Sequence, residues 1–127
     1  MSRDSHKIDF TTFGDNYSLE EHSTGYTWID GKTIYKKTVS LGALPNNNAK
    51  SIAHNISNFS TMLNLYGYAF RSSDQTFFVL PNTSNPSISS STAINLTVNA
   101  TTIVVTTGTD RSNMVGYVTL YYTKTTG

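Results

Sequence analysis

The chain reads as an all-β protein, an antiparallel, jelly-roll-like β-sandwich of about eight strands. Three observations predict this. Ser, Thr and Asn number 16, 20 and 12 of the 127 residues, while charged residues are only 13%. Thr, Tyr, Val, Ile and Phe recur every few positions, and branched and aromatic side chains favour a pleated surface. Ser and Asn gather between these runs, where their side chains bond nearby backbone groups and favour turns. Hydrophobic residues are 37% of the chain. That suffices for a sandwich, which buries only alternate residues of each strand. The length fits one domain. Residues 17–127 are assigned to the sandwich. Residues 1–16 carry Phe10 and Phe13 without a clear period and read as an N-terminal arm or linker.

The first strand is expected at 24–29 and the second at 32–41. Asp30-Gly31 between them is a hairpin signal, read as a type I′ turn with Trp28 just before it. In the second strand Tyr35, Lys37, Val39 and Leu41 share one face, opposite Ile34, Lys36, Thr38 and Ser40. The second set is mostly polar and is expected to meet water or a neighbouring chain. Residues 42–48 form a loop with Pro45 followed by Asn46, Asn47 and Asn48. A short strand is expected at 49–56, and Ser57-Asn58 would cap a helical turn before Met62.

The longest apolar run is 62–70. Leu63, Leu65, Gly67 and Ala69 form one face and Met62, Asn64, Tyr66, Tyr68 and Phe70 the other. Gly67 and Ala69 are expected to let a facing sheet approach. Arg71 to Asp74 is a turn into a strand at 76–80, and 81–92 is a loop. Ile94, Leu96 and Val98 alternate with Asn95, Thr97 and Asn99, as in a half-buried strand. Strands at 101–106 and 114–124 follow. In the last, Val118, Leu120 and Tyr122 oppose Tyr117, Thr119 and Tyr121.

The same residues argue against several chemistries. Cysteine is absent and the formal charge is +1, so no disulfide framework, zinc–thiolate site or cysteine nucleophile is expected. Lys36-Lys37 is the only adjacent basic pair, too little for a nucleic-acid footprint. No apolar run nears the ~20 residues of a membrane helix. Met1-Ser2-Arg3-Asp4 lacks the apolar stretch of a signal peptide, so none is expected. His6, His22 and His54 have no metal-pair spacing, and neither a metal site nor a cofactor is expected. Glu20-Glu21-His22 reads as a solvated lead-in to the first strand. The acids lie in the arm or in separate loops. No Gly-x-Ser-x-Gly or phosphate loop is present, so catalysis is not expected. Six Asn-x-Ser/Thr matches, at Asn16, Asn55, Asn58, Asn82, Asn95 and Asn99, stand against about three or four that this composition gives by chance, a weak signal, and glycosylation is not expected. The aromatic faces Tyr66-Tyr68-Phe70 and Tyr117-Tyr121 suit stacking on sugars or burial against a partner.

Particular stretches resemble bacteriophage fibre proteins. They are Tyr17-Ser-x-Glu20-Glu21, Thr27-Trp28-Ile29-Asp30-Gly31-Lys32, Ile34-Tyr35 and Lys37-Thr38. Gly42-x-Leu44-Pro45, Ala53-His54-x-Ile56-Ser57-Asn58 and Thr107-Gly108-x-Asp110-Arg111-Ser112 continue the likeness, and Tyr117-Val118-x-Leu120-x-Tyr122 with Thr123-Lys124-Thr125 closes it. The resemblance spans 17–127. It implies a virion structural protein made in the host bacterial cytoplasm, a C-terminal tail- or head-fibre domain that is homotrimeric and mediates host attachment. A host cell-surface glycan or protein and other virion proteins are then the expected partners, without nucleic acid or membrane insertion. The aromatic faces are the expected subunit interface. The expected ligand residues lie on polar loops: Asn46, Asn47, Asn48, Arg71, Asp74 and Arg111, with 82–91 and 110–113 as further loops. Arginine would pair with an anionic sugar group and asparagine with hydroxyls. The alternative is a capsid decoration or fibre-assembly domain that binds no ligand.

Overall fold

The computed structural model describes residues 17–81 and 93–126. Their strands are β1 (His22–Thr27), β2 (Thr33–Ala43), β3 (Ala49–Ala53), β4 (Phe59–Arg71), β5 (Thr76–Leu80), β6 (Ile94–Val98), β7 (Thr102–Thr107) and β8 (Met114–Lys124). They make a five-stranded sheet, β1-β2-β8-β4-β5, and a three-stranded sheet, β3-β7-β6. Every pairing is antiparallel. The expected all-β sandwich of eight strands is therefore what forms. The pairings β2–β8 and β3–β7 nest one inside the other, in the manner of a jelly roll. A β4–β5 hairpin extends the larger sheet instead of balancing the two. The expected arm at 1–16 and the loop at 82–91 lie outside the described residues.

Period-two patterning builds the core. Val118, Leu120 and Tyr122 of β8 point inward and are fully buried, with Val39 and Leu41 of β2 and Ala69 of β4 beside them. Ile94, Ile103 and Val105 close the core from the smaller sheet. Each fully buried side chain of this size contributes about 1.5–3 kcal/mol. His54 joins the two layers. Its Nδ1 accepts the Ile56 N–H at 3.1 Å, and its Nε2 reaches the Asn99 carbonyl at 2.9 Å. Those two bonds make the ring a neutral Nε2–H tautomer. The His54 carbonyl accepts from Lys37 Nζ at 2.8 Å.

Three local expectations need correction. The first hairpin is not a two-residue type I′ turn at Asp30-Gly31. The Gly31 N–H reaches the Trp28 carbonyl at 2.9 Å, so the turn centres on Ile29-Asp30. Only Gly31 takes positive φ there, at 85°. Asp30 Oδ1 accepts the Lys32 N–H at 3.0 Å. This is a type I turn closed by a left-handed glycine, and the extra residue relieves Asp30 of a strained conformation. Second, no helical turn follows Ser57. Asn58 has φ 57° and β4 begins at Phe59, because Phe59 packs against Tyr122 and His54. Third, Gly67 is small for β8 and not for the facing sheet. A Cβ there would collide with the Tyr117 carbonyl oxygen and lie 2.7 Å from Val118 Cα.

Gly67→Ala should therefore cost about 1–3 kcal/mol, as for overpacking against atoms that cannot yield. Gly116→Ala meets its nearest atoms at 3.2–3.4 Å and should cost less. Chemical denaturation of both variants checks the order.

Candidate functional site

The outward residues of the central strands make an aromatic surface. Tyr68 of β4 stands opposite Tyr117 of β8, Tyr66 opposite Thr119 and Phe70 opposite Val115. On the edge, Phe77 of β5 pairs with Phe70 and Val79 with Tyr68. Ring centroids lie 5.9 Å apart for Tyr68–Tyr117, 5.7 Å for Tyr68–Phe77, 4.7 Å for Phe70–Phe77 and 6.2 Å for Tyr66–Tyr121. The rings of Tyr117, Tyr68, Phe77 and Phe70 form one continuous band across β8, β4 and β5, with the Tyr66–Tyr121 pair next along the same face. Exposed apolar area so concentrated marks a binding surface more often than a bare face.

Tyr17 turns part of this band into a cleft. The Thr38 N–H donates to the Ser18 carbonyl at 2.9 Å, which holds the segment before β1 against β2. The Tyr17 ring then covers Lys36, whose Nζ lies 3.6 Å from the ring centroid. The Tyr17 hydroxyl meets the Tyr66 hydroxyl at 2.8 Å. The resulting cleft is about 500 Å³ and is lined by Tyr17, Thr38, Tyr66, Gly67, Tyr68, Tyr117 and Thr119. Thr38 and Thr119 share a hydrogen bond of 2.9 Å. The threonine pair leaves one O–H to donate and lone pairs to accept, and the Tyr17 and Tyr66 hydroxyls, which also bond Tyr121, add lone pairs, so polar capacity lies between aromatic walls. Hydrogen bonding to Tyr66, with burial, raises the Tyr17 pKa. Burial raises that of Tyr66, so both hydroxyls keep their protons at neutral pH.

Glu21 secures the chain that follows Tyr17. It accepts from the Tyr122 hydroxyl at 2.6 Å and from Lys124 Nζ at 2.8 Å. Burial works to raise its pKa. The bonds from Lys124 and Tyr122 outweigh that effect and hold the carboxyl below its ordinary value. Glu21 is therefore a structural anchor and not part of a solvated lead-in, as its sequence context suggested.

The expected polar-loop residues are drawn together, but largely into bonds within the fold. Arg71 Nε and Nη2 grip Asp74 at 2.9 and 2.8 Å across the β4–β5 turn. Those bonds, with one from Thr76, lower the Asp74 pKa to about 2. Arg111 is buried, with its guanidinium 5.3 Å from the Phe78 ring and Arg71 equally close. The 45–48 and 108–112 loops are zipped together. Asn46 bridges Asp110, and the Asn47 N–H donates to Thr109. The Thr107 N–H donates to the Asn48 carbonyl, while Asn48 Oδ1 takes the Ala49 N–H. Asp110 binds its own Ser112. Trp28, Asp30 and Gly31 form the hairpin already described. Among the described residues no three His, Asp or Glu side chains gather to hold a metal ion. The cleft was half visible in the sequence as the alternating tyrosines. Tyr17 and Thr38 were missed, since only the fold brings them beside Tyr66 and Thr119.

Searches of protein-family models, curated proteins and solved structures return no match to this chain.

Acid should expose the Glu21 anchor. A carboxyl whose folded pKa is depressed gives stability that is complete above the unfolded value, here 4.5. That stability is lost as pH falls through the lower folded value. Glu21→Gln should lower the melting temperature at pH 7 and flatten its decline below about pH 4.5. Thermal melts across pH 7 to 3 check this.

Proposed function

We propose that the protein is a non-enzymatic virion attachment module of the phage-fibre kind, which holds a neutral saccharide of the host surface in the tyrosine cleft. The cleft carries this reading. None of its seven lining residues is charged, and four are tyrosines. Sugar rings present apolar C–H faces that stack on aromatic rings, and their hydroxyls match the Thr and Tyr hydroxyl pairs. A volume near 500 Å³ falls within the ordinary range of small-ligand sites. An anionic sugar is disfavoured, because Lys36 is covered by Tyr17 and Arg71 is neutralised by Asp74. The binding surface thus moves from the polar loops to the outer sheet face.

Binding without catalysis has its own support. Glycoside hydrolysis needs two carboxyl groups across the scissile bond. Among the described acids, Glu21, Asp30, Asp74 and Asp110 are each committed to separate partners, and Glu20 is exposed and outside the cleft lining. The resemblance of residues 17–127 to fibre domains supports the virion setting. A cysteine-free domain folds in a reducing cytoplasm and works outside it. A purely structural assembly role is the second reading, favoured by the exposure of Phe77 and Val79 on the same face.

Titration of the purified protein with neutral oligosaccharides from the host surface should show saturable binding. Tyr68→Ala and Tyr117→Ala should each weaken it at least tenfold, about 1.4 kcal/mol or more. Arg71→Ala should leave it unchanged. Failure of the wild-type protein to bind host cells or to block adsorption would remove the attachment role.

A further inference from the structure

We propose that β5 is a self-pairing edge. Two copies of the chain join antiparallel along it, about a two-fold axis through Phe78, and their five-stranded sheets become one. The proposal goes beyond the saccharide reading, does not depend on it, and sets a two-fold dimer in place of the homotrimer that the fibre resemblance implies.

Among the described residues β5 is the last strand of the larger sheet, so alternate backbone N–H and C=O groups along its outer side face away from β4. Soluble proteins protect such edges with charge, proline, bulges or very short strands. Thr76-Phe77-Phe78-Val79-Leu80 contains no charge and no proline, and its pairing with β4 runs without a register break. The other edges differ. β1 is broken by a register shift and by Gly25 at φ 83°. β3 and β6 expose only small or polar residues: Ala49, Ser51, Ala53, Asn95 and Thr97. On β5 the outward side chains are Phe77, 65% exposed, and Val79, 76% exposed.

The occupant is a second copy because the strand complements itself. With Phe78 opposite Phe78 of the partner copy, each Phe77 lies across from the other copy's Val79. Aromatic against β-branched is among the favourable cross-strand pairs. No like charges oppose each other along the edge, and the nearby Arg71 is neutralised by Asp74. A contact along one five-residue strand is small beside the ~1,200–2,000 Å² total of standard specific interfaces. The dimer is therefore expected to be weak and concentration-dependent. A two-fold axis normal to the sheet keeps both outer faces on one side. If the saccharide reading holds, the two tyrosine clefts face the same surface, and linked sites gain avidity.

Sedimentation equilibrium over micromolar to millimolar protein tests this, with folding confirmed by circular dichroism. The wild-type mass should rise from 14.0 kDa toward twice that value and no further. The register makes a sharper demand. F77K/V79K sets lysine against lysine and should abolish the dimer. F77K/V79E sets lysine against glutamate across the same axis and should restore it at low salt. A wild-type monomer throughout, a trimer, or a dimer indifferent to both double variants would overturn the proposal.

Discussion

The pairing of β8 between β2 and β4 is the constraint on which the structure depends. Its register places Val118 beside Val39 and Gly67, and Leu120 beside Leu65. The inward half of β8 thereby fills the core. The same register puts Tyr117, Thr119 and Tyr121 on the far side, beside Tyr68, Tyr66 and Thr38. A slip of one residue would exchange the two faces, sending tyrosines into the core and valine into water. The core thus fixes the surface. Gly67 shows how narrow the tolerance is, since the β8 backbone occupies the space its side chain would need.

The outer face gains its shape from a contact distant in sequence. Tyr17 reaches over β2 to Tyr66, and the chain behind it is pinned by Ser18 to Thr38 and by Glu21 to Lys124 and Tyr122. Lys36, which would otherwise give this face a positive charge, is covered by the Tyr17 ring and only 2% exposed. The low charge of the sequence is in this way carried into local chemistry. The result is a neutral cleft with aromatic walls, bordered on the β5 side by a wholly apolar strip.

The strands were legible because β-branched and aromatic residues alternate with polar ones in nearly every element. The faces of β8 followed from Val118-Thr119-Leu120-Tyr121-Tyr122 alone. What the sequence did not show were features set by tertiary partners. The Asp30-Gly31 pair signals a hairpin, but the choice between a two-residue turn and a type I turn with a trailing glycine rests on the β1–β2 register. Arg71, Asp74 and Arg111 looked available because a sequence does not show that Arg71 meets Asp74 or that Arg111 lies over Phe78. The cleft was only half readable, because Tyr17 and Tyr66 are 49 residues apart and no local pattern links them.

The central proposal is that the outer tyrosine cleft, and not the polar loops, meets a ligand. The most direct measurement is residue-resolved NMR during titration with neutral host-surface oligosaccharide. The account predicts shifts at Tyr17, Tyr68, Tyr117 and Thr119, with Asn47, Asn48 and Arg111 unmoved. Shifts confined to the 46–48 and 110–113 loops, with the tyrosines silent, would contradict it.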